Sequence, residues 1–202
     1  MDKFKIENVK TFGKTESIIA SGYPMRTEVR YSSYSQERAD KLANNSPGTG
    51  HNNWLKGVVI QADITAPQYW WLQWGRYSFA DIVSSQSKMH RITEMNLNKQ
   101  CNQYVDKTII QILRKYIDDY NKLHREDFQT TEQYHEDEQM LFQKIISNCP
   151  MGLVLTARIT TNYLQEKTVY QQRRNHKLEE WQKYCDWLKG LPKSGLIIGG
   201  VE

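Results

Sequence analysis

Three stretches of the chain have the apolar and polar patterns of β-strands, and the alternation with a period of two is clearest in the first. The stretches are residues 3–12, 58–65 and 151–160. The second is rich in β-branched residues and ends just before Pro67, which predicts a central strand followed by a helix. The third has a similar apolar character and predicts a second central strand.

Helical spacing of apolar residues is strongest between the second and third predicted strands. Apolar side chains recur every three or four positions over residues 103–124 and again over 130–147. This pattern predicts two amphipathic helices, which we expect to form a long helical hairpin joined near residues 125–129.

Weaker patterns predict the remaining helices and loops. The other predicted helices are 35–44 with Ser35 as N-cap, 67–76, a helix to about 174 capped by Thr161 or Asn162, and 178–189. The predicted loops are 13–34, with room for a short helix, 45–53 and 78–90. No internal repeat, low-complexity tract or linker divides the sequence. We therefore expect residues 1–202 to form one α+β domain with a mixed or antiparallel central sheet, flanking helices and the helical hairpin.

The composition narrows the functional classes. A net charge of +4 over 202 residues, without a dense run of Lys or Arg, permits an anionic small ligand and does not require nucleic acid. The three cysteines are scattered and form no CxxC pair, which argues against a zinc site or a disulfide framework. No apolar stretch is long enough to span a membrane and the N-terminus lacks a signal-peptide core. We therefore expect a cytoplasmic protein.

Polar and cationic residues follow the first central strand, at a place where ligand sites of α/β structures commonly lie. Gln73 and Arg76 are one helical turn apart and share a face, and the serine-rich loop beyond them carries Ser87. These groups suit the phosphate or the base of a nucleotide. The alternative is a polar loop that caps the neighbouring helix.

A second polar group follows the last predicted strand. Asn162 is followed three turns later by Arg173 and then by His176. A guanidinium at this place suits bidentate binding of phosphate. The alternative is a solvated helix end, where the helix dipole favours cations in any case. The other histidines, including His51, show no metal-ligand spacing, so no metal site is predicted.

Two segments resemble the flavin-dependent thymidylate synthases. The first, GHNNWLKGVVIQADITAPQYWWLQWGRYSFADIVSSQSKMH, has that family's Gly-His loop, strand, Ala-Pro helix and Gln-x-x-Arg, with a serine beyond. The second, PMGLVLTARITTNY followed by YQQRRNHKLEEW, has its strand, Asn-led helix, nucleotide-binding arginine and His followed by Trp. The APxYWW and Ser-x-Met-His segments are most similar to a group of small, often phage-borne relatives.

The resemblance implies an enzyme that methylates dUMP to dTMP with FAD, NADPH and methylenetetrahydrofolate, or that otherwise binds or modifies a pyrimidine nucleotide. It also implies a homotetramer whose subunits share the site. A phage-encoded member would act in the host cytoplasm. The residues that match the family's site are Gln73, Arg76 and Arg173 for the nucleotide, Ser87 for catalysis, and His51, Asn162 and His176 for the flavin. Four tryptophans near this site (Trp54, Trp70, Trp71 and Trp74) suit an aromatic subunit interface, with core packing as the alternative for at least two of them.

The chain departs from the family pattern mainly on the flavin side. The family's Arg-His-Arg is Arg76-Tyr77-Ser78 here, and Leu164 stands where the family has a flavin-contacting arginine. Each lost cation removes charge-assisted hydrogen bonds worth about 1.5–3 kcal/mol. The sequence therefore predicts weakened FAD binding beside a nucleotide site that is largely kept.

Two other hypotheses stay open at this point. The first is a catalytically inactive binding or interaction protein on the same fold, such as a phage accessory factor. The second is an unrelated α+β domain. The lost motif residues and the surplus of tryptophans favour the inactive binding protein over the enzyme.

Overall fold

Four strands form one antiparallel sheet in the order β1-β2-β4-β3. The computed structural model describes residues 3–45 and 49–199 of the chain. The strands are β1 (Lys5–Phe12), β2 (Val59–Pro67), β3 (Asp81–Ser85) and β4 (Val154–Asn162). Buried and half-buried residues largely alternate along β2 and β4, as their sequences predict for central strands.

Helices and this sheet together make an α+β fold, which confirms the predicted fold class. The helices are α1 (Lys14–Ala20), α2 (Gln36–Ala43), α3 (Gln68–Trp74), α4 (Lys88–Arg91), α5 (Leu97–Gln100), α6 (Lys107–Asn121), α7 (Thr131–Ser147), α8 (Tyr163–Arg173), α9 (Glu179–Lys189) and α10 (Gly195–Ile198). The domain was predicted to extend over residues 1–202. Of these, residues 1–2, 46–48 and 200–202 lie outside the described residues.

Side-chain caps set the starts of α2 and α8. Ser35 Oγ accepts a hydrogen bond from the Arg38 amide at 3.2 Å, and Asn162 Oδ1 accepts one from the Gln165 amide at 2.9 Å. Each cap satisfies one of the backbone N–H groups that the first helical turn leaves unpaired. Both caps confirm the sequence prediction, because capping depends on residues close together in the chain.

The predicted loop at 78–90 was wrong, since it contains β3 and the short helix α4. All five residues of β3 are exposed, so no alternation of burial marks the strand in the sequence. Its pairing extends to Gln86, whose amide donates to the Thr156 carbonyl at 2.9 Å and whose Oε1 accepts from the Thr156 amide at 2.9 Å. Long-range pairing, rather than a local pattern, therefore makes this strand.

The sequence predicted that Pro67 opens the next helix. In the structure Pro67 is instead the last residue of β2. The first amides of α3 are satisfied by the chain before β4: Gln68 donates to the Leu153 carbonyl at 2.9 Å, and Tyr69 to that of Met151 at 3.2 Å. These bonds from a distant segment extend the strand through Pro67 and delay the helix by one residue.

One compact unit holds the helical hairpin, and its described residues are 3–4, 65–72 and 85–157. Leu113 and Ile117 of α6 and Ile145 of α7 pack into a buried cluster with Ile92 and Leu153. The amphipathic spacing that predicted the two helices is the spacing that fills this core.

A second compact unit comprises the described residues 5–45, 49–64, 73–84 and 158–199. Its core is aromatic: the Trp74 ring stacks on that of Trp181 at 6.5 Å between centroids and meets Tyr184 edge-on at 5.4 Å. Trp74 is fully buried here, as Trp70 is in the hairpin unit. These two tryptophans therefore follow the core-packing alternative, and an interface role for Trp54 and Trp71 stays a prediction.

The described residues contain neither a helix that could span a membrane nor a cluster of metal ligands. None of their helices combines the length and the apolar character needed to cross a bilayer. No three of their His, Cys, Asp or Glu side chains are grouped so that they could hold a metal ion.

Candidate functional site

Four of the predicted site residues line one cavity of about 570 Å³ in the second unit. We call it the arginine cavity, and its lining residues are Gln73, Arg76, Tyr77, Gln172, Arg173 and His176. The first three lie at and beyond the end of α3, and the others at and beyond the end of α8. The volume is within the usual range for small-molecule sites.

Arg173 is held by aromatic side chains. Its Nε donates to Tyr77 Oη at 2.8 Å, and its guanidinium carbon lies 4.8 Å from the centre of the Trp181 ring. A guanidinium over a tryptophan face gains about 0.5–2 kcal/mol from the ring quadrupole. The terminal nitrogens of Arg173 have no hydrogen-bond partner among the described residues, so they are available to a ligand.

The two amide side chains of the cavity are also held. Trp181 Nε1 donates to Gln73 Oε1 at 2.9 Å, and Tyr77 Oη donates to Gln172 Oε1 at 3.2 Å. Burial raises the pKa of Tyr77, against the lowering effect of Arg173, so its hydroxyl keeps its proton at neutral pH.

His176 closes the cavity beyond α8. Its Nδ1 accepts a hydrogen bond from the Leu178 amide at 3.1 Å. Burial lowers the pKa of His176, and the positive charges of Arg173 and Lys177 lower it further. The imidazole is therefore neutral at pH 7, with its proton on Nε2.

A buried carboxyl group beneath the aromatic core was missed by the sequence analysis. Glu166 is fully buried on α8; its Oε1 accepts from Thr161 Oγ1 at 2.7 Å and its Oε2 from Tyr184 Oη at 2.9 Å. Burial raises the pKa of Glu166 to about 7, although both hydrogen bonds act to lower it. The sequence offered one signal for its burial. Glu166 follows the buried Tyr163 by three residues, and that spacing puts both side chains on one helix face.

A second cavity of about 330 Å³, which we call the α8 groove, lies along the earlier turns of α8 in the same unit. Its lining residues are Gly50, Asn52, Asn53, Leu164, Lys167, Thr168 and Gln171. Lys167 is largely buried, its Nζ donates to the Gly199 carbonyl at 2.7 Å, and burial lowers its pKa. Leu164 contributes only an aliphatic side chain.

The other predicted site residues, His51, Asn162 and Ser87, are not among the lining residues of these two cavities. His51 is exposed in a turn, and Asn162 uses its side-chain oxygen to cap α8. Ser87 lies in the hairpin unit, where it lines a cavity of about 260 Å³ with Gln86, Arg91, Glu94 and Met95. Arg91 is paired there with Glu94 at 2.8 Å.

Solved structures share this architecture. The flavin-dependent thymidylate synthase ThyX from Helicobacter pylori, complexed with FAD and dUMP, aligns over 98% of this chain and 100% of its own, with a TM-score of 0.67 and 11% identity. A second structure of that enzyme with FAD and dUMP has a TM-score of 0.63 and 14% identity over the same coverage. The fold is that of the flavin-dependent thymidylate synthases.

A third solved structure carries the same fold. The UMP/dUMP methylase PolB from Streptomyces cacaoi, bound with 5-Br dUMP, aligns over 93% of this chain and 88% of its own, with a TM-score of 0.61 and 10% identity. No protein-family model and no curated protein sequence matches the chain. At these identities the likeness establishes the fold, and function has to be argued from the side chains.

Proposed function

We propose that this chain binds a pyrimidine nucleoside monophosphate in the arginine cavity. The observation that carries the proposal is the charge of the lining: two guanidinium groups, two amides, a phenol and a neutral imidazole, with no carboxylate among them. None of the ion pairs within the described residues includes Arg76 or Arg173. Two cations that face one cavity without a counter-charge repel each other until an anion enters.

A phosphate group is the anion that suits these side chains. Guanidinium groups bind phosphate through parallel N–H···O bonds, and each charge-assisted bond contributes about 1.5–3 kcal/mol. Because Arg173 is already held by Tyr77 and Trp181, less conformational entropy is lost when its terminal nitrogens bind. The pyrimidine part of the proposal is supported by the neighbouring folds, which were solved with dUMP or 5-Br dUMP.

We extend the proposal to methylation of dUMP to dTMP, and the catalytic role of Ser87 stays a prediction from the resemblance. FAD is the less well supported part. In the second unit, Leu164 supplies no cation, Lys167 is bound to the Gly199 carbonyl and Asn162 caps a helix. These side chains do not fit the diphosphate of FAD, so we derive no step through the flavin. NADPH, methylenetetrahydrofolate, a homotetramer and a cytoplasmic location stay predictions.

The second candidate function is a nucleotide-binding protein without catalysis. It is favoured by the α8 groove, whose lining residues offer no unpaired cation to the diphosphate of FAD. A first measurement tests the nucleotide site that both candidates share. We expect dUMP to raise the unfolding temperature of the purified protein and deoxyuridine to have little effect, since a ligand of the folded state stabilises it. If dUMP has no effect, or if Arg173→Ala responds as the wild type does, the nucleotide site is wrong.

Rescue of a thymidine-requiring host tests the catalytic part. Growth without thymidine that depends on Arg173 supports methylation. Binding of dUMP without such growth supports the inactive binding protein. Absorbance of the purified protein in the flavin range, or a rise in unfolding temperature with added FAD, tests the cofactor separately.

A further inference from the structure

Beside Tyr77, the arginine cavity contains three side chains whose hydrogen-bonding role is not set by their type. Gln73 and Gln172 each carry one acceptor and one donor end, and neutral His176 carries one nitrogen of each kind. In all three, a neighbouring donor occupies the acceptor atom.

Gln73 is oriented by a group that can only donate. The indole Nε1–H of Trp181 has no acceptor capacity, so the atom 2.9 Å away must be the carbonyl oxygen of Gln73. The amide NH₂ group of Gln73 is then the end left for a ligand. No described residue accepts a hydrogen bond from it.

Gln172 is oriented through Tyr77 in the same way. Arg173 Nε–H can only donate, so Tyr77 Oη accepts that bond and gives its own proton to Gln172 Oε1. The NH₂ group of Gln172 is left for a ligand. The backbone N–H of Leu178 likewise donates to Nδ1 of His176, so the proton of the neutral ring is on Nε2, which can donate to a ligand.

We propose that Trp181 and Tyr77 are positioning residues that hold the arginine cavity as a surface of hydrogen-bond donors, and that this surface selects a phosphate oxygen over any group that carries a proton. The proposal rests on the nucleotide site proposed above. It assigns Gln73 to the phosphate, whereas the resemblance suggested that this residue orients the base. It also gives Trp181 a second role beside its place in the aromatic core.

Two ligands of equal charge and similar size test the selection. Deoxyuridine 5′-phosphorofluoridate and deoxyuridine 5′-phosphoramidate are both monoanions at neutral pH. The first carries a fluorine on phosphorus, which cannot donate a hydrogen bond, and the second carries an NH₂ group, which can. The wild-type chain should bind the phosphorofluoridate about ten-fold more tightly, because a donor that faces a donor is left unpaired. Titration calorimetry with the full-length protein measures both dissociation constants.

Trp181→Phe keeps a ring beneath Arg173 but releases the carbonyl of Gln73, so its amide can turn and accept from the phosphoramidate. The preference should fall to about two-fold. Trp187→Phe is the matched control: it makes the same change on the same helix, outside the cavity lining, and should keep the wild-type preference. Tyr77→Phe should weaken dUMP binding about five-fold, because Arg173 loses the acceptor for its Nε–H.

Gln73→Glu provides a test that loss of stability cannot imitate. One carboxylate oxygen still accepts from Trp181, and the other presents an acceptor to the cavity. The preference should reverse, so that the phosphoramidate binds more tightly than the phosphorofluoridate. This reversal decides the matter if Trp181→Phe fails to fold.

The possible results separate this inference from the function on which it rests. If wild type binds dUMP through Arg173 but shows no preference between the two analogues, the donor surface is wrong and the nucleotide site stands. An unchanged preference in both Trp181→Phe and Gln73→Glu has the same meaning. If wild type binds none of the three ligands, both proposals are wrong.

Discussion

Two cavities lie along the same helix, and they differ in what their cations are free to do. At the end of α8, the arginine cavity presents Arg173 with its terminal nitrogens available and Arg76 without an ion pair. Along the earlier turns, the α8 groove contains Lys167, whose ammonium group is already bound to the Gly199 carbonyl. Both linings also contain amide side chains.

The difference teaches that a cation near a cavity does not by itself make an anion site. Burial lowers the pKa of Lys167, and its proton is directed at a backbone oxygen rather than at a ligand. Arg173 is held from the side by Tyr77 and Trp181, so its outer edge stays open. This difference supports the proposed phosphate site at the end of α8 and argues against a second one along its side.

The largest expected effect comes from reversing charge in the arginine cavity. Arg173→Glu should weaken dUMP binding by at least about a hundred-fold, because two charge-assisted hydrogen bonds are replaced by repulsion. Calorimetry measures the loss. Arg174→Glu is the matched control, since it makes the same change one residue further along and outside the lining. Equal losses in both variants would mean that general surface charge, rather than the cavity, attracts the nucleotide.

Glu166, on the buried face of α8, should make stability depend on pH. Its pKa is raised to about 7 in the folded chain, from an ordinary value of 4.5, so the folded chain keeps a proton that the unfolded chain loses in this window. The free energy of unfolding should therefore fall by about 3 kcal/mol as pH rises from 4.5 to 7. Urea unfolding of wild type and Glu166→Gln at several pH values measures this, and we expect a flatter dependence in the variant. Parallel curves would show that this carboxyl group is not the source.

Leu164→Arg tests the groove by supplying the cation that the resemblance places there. We expect affinity for FAD to rise about ten-fold, the contribution of one charge-assisted hydrogen bond, while dUMP affinity stays within two-fold of wild type. Flavin fluorescence quenching measures the first and calorimetry the second. Leu164→Met is the uncharged control. A gain in FAD affinity in both variants would indicate a packing effect instead of charge.

The smallest effect is expected from Lys167→Met. Loss of the bond to the Gly199 carbonyl should lower the free energy of unfolding by about 1 kcal/mol, and dUMP affinity should not change. Thermal unfolding and calorimetry measure the two quantities. A large loss of nucleotide affinity would break the comparison, because it would make the groove part of the nucleotide site.

Much of the fold followed from local patterns. The hairpin helices α6 and α7, the central strands β2 and β4 and the caps Ser35 and Asn162 lie close to where the sequence predicted them. Strand β3 did not, because its exposed residues carry no alternation and its identity depends on hydrogen bonds beyond its own segment.

The candidate site divides in the same way. The order of residues in two segments indicated Gln73, Arg76, Arg173 and His176, and the structure brings these four to one cavity. The supporting roles of Tyr77 and Trp181 had no signal, because an aromatic residue in a helix pattern suggests core packing. Glu166 was overlooked because a glutamate in a helix is usually exposed.

The sequence by itself determined the periodicity of the helices and central strands, their caps and the presence of cations after two strands, because these depend on residues within a few positions of each other. Only the tertiary structure decided which end of an amide faces a ligand. Trp181 and Gln73 are 108 positions apart, and Arg173 and Tyr77 are 96 apart. A hydrogen bond between residues so distant in the chain exists only once folding has brought them within 3 Å, and it then sets what the cavity offers to a ligand.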